Sequence, residues 1–61
     1  MVIECRVRGY GWEAAERPET NLIELARYMM GHGFRVKQSA EGIVVTNPVT
    51  GNIEAEYRMV R

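Results

Sequence analysis

Residues 2–8 alternate in polarity, with Ile3, Cys5 and Val7 on one side and Glu4, Arg6 and Arg8 on the other. A period of two predicts a half-buried strand. Gly9 and Gly11 then punctuate the chain. The run Trp12-Glu13-Ala14-Ala15-Glu16-Arg17 is composed for one helical turn, too short to be stable alone, and Pro18 closes it. A longer helix follows. Asn21 has Glu24 three residues on, the spacing of a capping box, with Thr20 as the competing N-cap. Leu22, Leu25, Ala26 and Met29 recur at i, i+3, i+4 and i+7, and Ile23 and Met30 widen that apolar stripe. Gly31 and Gly33 stand where a left-handed C-terminal cap is expected, and Glu24 and Arg27 are spaced to pair on the exposed side.

Three short strands are predicted next. Phe34 and Val36 alternate with Arg35 and Lys37, and Ser39-Ala40-Glu41-Gly42 reads as a turn. Ile43-Val44-Val45-Thr46 is the most continuously apolar run, which suits a strand inside the sheet. Asn47 to Asn52 reads as a hairpin loop, since Asn-Pro initiates turns and Gly51-Asn52 tolerates positive φ. Ile53, Ala55, Tyr57 and Met59 then alternate with Glu54, Glu56 and Arg58.

The expected fold is therefore α+β, a single domain over residues 1–61 in the order β-α-β-β-β. One helix packs on the apolar face of a four-stranded, mainly antiparallel sheet. Charge on the other face bears on strand order, because like charges directly opposite each other destabilise a strand pair. The first strand carries Arg6 and Arg8, the second Arg35 and Lys37, and the last Glu54 and Glu56. The first and last strands should be neighbours, giving the order 2-3-4-1, with the first strand expected parallel to the last.

Composition narrows the functional classes. A chain of 61 residues has room for one small core. Domains of this size bury only about 60% of their unfolded surface. A deep catalytic cleft or an enclosed cofactor would displace much of that core, so no cofactor is expected. The formal net charge is zero, which argues against a generic polyanion binder. All eight acids are Glu, and the bases are all Arg except Lys37. The early charges Glu4 and Arg6 leave no apolar stretch for a signal peptide, and no run is long enough for a membrane span. A cytoplasmic protein with no membrane partner is expected.

Candidate chemistry is sparse. Cys5, the only cysteine, falls on the inward side of its strand and reads as a small core residue. His32, the only histidine, lies just past the helix, where an imidazolium would meet the negative end of the dipole. With one Cys, one His and no Asp, neither catalytic residues nor a metal site are expected. The methionines fit core filling, Met30 being the one placed to be exposed. Arg8-Gly9-Tyr10-Gly11-Trp12 is more suggestive: aromatic and Arg side chains dominate interface hot spots and also stack on single-stranded bases. Trp12 could equally fold back to seal one end of the core.

The second half resembles in outline the HicA-type toxins, small RNA-cleaving domains with a double-stranded-RNA-binding-like α-β-β-β core. The residues concerned are Gly33-Phe34 after the helix, the polar strand to Lys37-Gln38-Ser39, the Gly42 turn and Asn47-Pro48 closing the next strand. That family's catalytic His stands in the strand after the turn. Here Ile43, Val44 and Val45 occupy it, so the resemblance implies no nuclease activity. In size and composition the chain is also similar to small phage-encoded inhibitors, anti-CRISPR proteins among them.

The expected function is a non-enzymatic protein-binding module, an inhibitor or regulator of a larger host complex of the phage or mobile-element kind. Its expected contact residues are Arg6, Arg8, Tyr10, Trp12, Arg35 and Lys37. The alternative is a nucleic-acid-binding domain, for RNA or single strands, using the same cations and aromatics. A third expectation is a homodimer formed through an open sheet edge.

Overall fold

A computed structural model describes all residues from Met1 to Arg61. The elements are β1 (Val2–Arg6), β2 (Glu13–Ala14), α1 (Leu22–Gly31), β3 (Arg35–Gln38), β4 (Gly42–Thr46) and β5 (Ile53–Val60). One helix and a five-stranded antiparallel sheet make an α+β fold, with strand order β2-β1-β5-β4-β3. The four strands expected from the sequence stand in the expected order. The structure corrects that expectation in two respects, and both come from residues 12–17. That segment forms no helical turn. Glu13 and Ala14 instead pair with Cys5 and Glu4 as a fifth strand on the outer edge.

This added strand also reverses the direction of the chain once more before the helix. The backbone returns to the start of β1, where the Ala15 N–H donates to the Ile3 carbonyl at 2.9 Å. The chain therefore enters α1 from the opposite end, and β5 runs antiparallel to β1, not parallel to it.

Local chemistry accounts for the helix limits. Asn21 is the N-cap, its side-chain oxygen accepting from the Glu24 N–H at 2.9 Å. The Glu24 carboxylate reaches back one residue farther than a standard capping box, accepting from the Thr20 N–H at 3.2 Å. It is consequently not paired with Arg27 as the spacing suggested. At the other end Gly33 takes φ +89°, its N–H donating to Met30 O and the Phe34 N–H donating to Met29 O. These two bonds form a Schellman motif, with Phe34 packed against the core.

Leu25 and Met29 bury the helix stripe against Ile3, Ile43, Val45, Ala55 and Tyr57. The helix packs mainly across β3, β4 and β5, leaving the inner face of β1 and β2 less covered. Cys5 is half-buried against the core, whereas Val7 lies beyond the end of β1 and is exposed. Ile53, past a register shift between Val45 and Thr46, is exposed as well. No helix is long and apolar enough to cross a membrane.

Candidate functional site

Across β1 and β5 the outer face of the sheet carries closed ion pairs. In the β1–β5 register Glu4 stands opposite Arg58 and Arg6 opposite Glu56. Arg6 donates two bonds to the Glu56 carboxylate, at 2.9 and 3.0 Å, and Arg58 meets Glu4 at 2.8 Å. Hydrogen bonding from Arg6 lowers the Glu56 pKa, and the same bond raises that of Arg6. Trp12 lies on these pairs, with the Arg6 and Arg58 guanidinium carbons 4.7 and 4.2 Å from the ring centroid. The indole is half-buried there and does not seal an end of the core.

The six residues expected to meet a partner fall into three groups. Arg6 and Trp12 are brought together, and both are engaged within the chain. Arg8 and Tyr10 occupy the exposed turn after β1, closed by a Tyr10 N–H bond to Val7 O at 2.9 Å with Gly9 at φ +87°. Arg35 and Lys37 lie on β3, at the far side of the sheet from β2. Three neighbouring strand spacings, about 14 Å, separate β3 from β1. Arg35 and Lys37 are exposed and make no ion pair.

Two concave surfaces flank the helix. One, of about 510 Å³, opens over the less covered inner end of β1 and is lined by Cys5, Val7, Tyr10, Ala15, Arg17 and Tyr57. Burial, and next to it Cys5, raises the Tyr57 pKa above its ordinary value. Arg17 is held away from ready chemistry, bonded to Glu19 at 2.8 Å and stacked over Tyr28 at 4.5 Å. The second surface, of about 530 Å³, is a groove between α1 and β3, lined by Leu22, Ile23, Ala26, Met30, Val36 and Gln38. Ile23, which periodicity assigned to the stripe, is 68% exposed, and Met30 is exposed as expected, at 52%; both form the rim of this groove.

No three His, Cys or Glu side chains gather in a way that could hold a metal. His32 is the helix C-cap, and its ring packs against Tyr28 with centroids 4.3 Å apart. No protein family, characterised protein or solved structure matches this chain.

The sequence reading placed Arg35 and Lys37 on a strand ending the sheet, and β3 is that end strand. What it did not reveal was which apolar helix residues would lie beside this edge.

Proposed function

We propose that this chain is a non-enzymatic protein-binding module, an inhibitor or regulator acting in the cytoplasm, and that it engages its partner along β3 and the adjoining groove. The observation that carries this reading is the coincidence of three features at one edge. These are an unpaired strand edge, two cations without counter-charges, and an apolar groove rimmed by Ile23 and Met30. A small chain exposing large aliphatic side chains beside an open edge has the composition of an interface.

Arg8 and Tyr10 form a second exposed patch, at the β2 side. Arg6 and Trp12 enter the reading as a fixed flank of the ionic face, since their guanidinium and ring already have partners. The same pairing favours a protein over a nucleic acid, because Arg6 and Arg58 are neutralised, which leaves few free cations on the outer face for phosphate contacts.

The test is quantitative capture from lysate with immobilised wild-type chain, an Arg35→Glu/Lys37→Glu variant and an Arg8→Glu/Tyr10→Ala variant. The reading predicts one defined protein, retained by wild type, reduced at least tenfold by the β3 variant and little changed by the turn variant. Equal recovery by wild type and the β3 variant would contradict it.

A further inference from the structure

We infer that β3 is a receptor edge for strand addition, and that the segment it receives is extended and alternates acidic with apolar residues. This rests on the protein-binding reading and names the chemistry of the partner.

The argument begins with the backbone. Opposed residues in an antiparallel ladder alternate between hydrogen-bonded and non-bonded pairs. The Ser39 N–H donates to the Gly42 carbonyl at 2.8 Å, so position 39 opposite 42 is a bonded pair. Keeping the register of Lys37 opposite Val44 and Arg35 opposite Thr46, those positions also point their amides toward β4. Val36 and Gln38 therefore turn their N–H and C=O groups outward, and the sheet order ends there with no further strand. These four groups are the main-chain half of a β-augmentation site.

Side chains supply the other half. Val36 lies on the helix side, packed against the core, and borders the groove with Ile23, Ala26 and Met30. Arg35 and Lys37 lie on the opposite face without counter-charges. Directly opposite residues in an antiparallel pair share a face. An incoming strand would thus place alternate residues in the apolar groove and the others against the two cations. Acidic residues match those positions and basic ones oppose them. The acid nearest to Lys37 in the sequence, Glu41 in the following turn, lies 3.9 Å from Arg58.

Charge also decides against a second copy as the occupant. A two-fold axis through this edge must pair residues on the same face. Centring it on Val36 sets Arg35 opposite Lys37 between the copies, and centring it on Lys37 sets that lysine opposite itself. Both registers juxtapose like charges. Centring it on Gln38 would set Arg35 opposite Glu41, but it carries the pairing past the end of β3 into the following turn. Exposed edge lysines are a common means of preventing such self-pairing.

The experiment uses the isotope-labelled full chain with a soluble octapeptide of alternating Glu and Val as probe. Two control probes carry Lys in place of Glu, or N-methyl groups on the Val amides, which are the ones that would face Val36 and Gln38. The inference predicts saturable shifts at Val36, Gln38, Ile23, Ala26 and Met30, and at least tenfold slower amide exchange at Val36 and Gln38. The N-methylated probe should not bind, because it lacks the ladder donors. Arg35→Glu/Lys37→Glu should weaken the Glu/Val probe at least tenfold and strengthen the Lys/Val probe, a charge swap that simple misfolding would not produce. No saturable shift at millimolar probe would overturn strand addition, as would equal affinity for the two charge types or binding of the N-methylated probe. A concentration-dependent dimer protecting Val36 and Gln38 would overturn it too. If the probe fails while capture still depends on Arg35 and Lys37, the protein-binding reading stands and only the strand mechanism falls. If the probe binds but capture is unaffected by the variant, the binding reading above is the one that fails.

Discussion

Gly42 is the residue where backbone packing is least forgiving. A Cβ there would fall onto the Tyr57 carbonyl oxygen and lie 3.0 Å from the Arg58 Cα, both of them main-chain atoms that cannot rotate away. Gly42→Ala should destabilise the fold by ~1–3 kcal/mol, read as a lower urea midpoint. Gly31→Ala should do the reverse. Its added methyl meets nothing within 4 Å, and alanine in the last helical turn gains up to about 1 kcal/mol over glycine. Two titrations have a defined sign. Glu56 has its pKa lowered by the Arg6 bond, so its contribution is complete above the ordinary carboxylate range and is lost as pH falls through the folded value. Tyr57 has its pKa raised, chiefly by burial. Its contribution is complete below about 10 and is lost as pH climbs through the folded value. Unfolding midpoints measured against pH should show a shallower acid limb for Glu56→Gln and a shallower alkaline limb for Tyr57→Phe.

Among the elements, α1 is fastened by its caps and by one wholly buried side chain. Gly33 holds φ +89°, a conformation costing an L-residue about 1–2 kcal/mol, so Gly33→Ala should lower the unfolding midpoint despite open space around it. Leu25 has no exposed surface, and Leu25→Ala should remove about 2–5 kcal/mol, enough to leave a domain of this size largely unfolded by circular dichroism. These features were legible because they repeat. The i, i+3, i+4 spacing selected Leu25 and Met29, and period two separated Ala55 and Tyr57 from Glu56 and Arg58. The charge argument placed β1 beside β5, where Arg6 indeed meets Glu56. What was not legible lacked a period. Two residues cannot display alternation, and Glu13-Ala14-Ala15 has good helix formers, so β2 looked helical. Missing β2 removed one reversal of the chain and made β1 and β5 seem parallel. Trp12 followed the same error, because its place on the ionic face depends on β2 lying beside β1.

At the scale of the molecule, the two ends of the sheet differ. The β1 edge is covered by β2, and the outer face beside it is closed by Arg6–Glu56, Arg58–Glu4 and the Trp12 ring. The β3 edge has no covering strand, its cations have no partners, and the adjacent groove is apolar. Of the six contact residues read from the sequence, Arg35 and Lys37 fall where backbone, charge and apolar surface coincide. Their partnership with Ile23 and Met30 was hidden because helical periodicity says which residues share a face, not how wide a face the sheet covers. The whole functional account turns on that edge being open in the free protein. Backbone amide hydrogen exchange of the isolated chain tests this most directly. Arg35 and Lys37 should be protected by their ladder to β4, while Val36 and Gln38 exchange near the rate of an unstructured peptide. Protection of Val36 and Gln38 in the free chain would contradict the account.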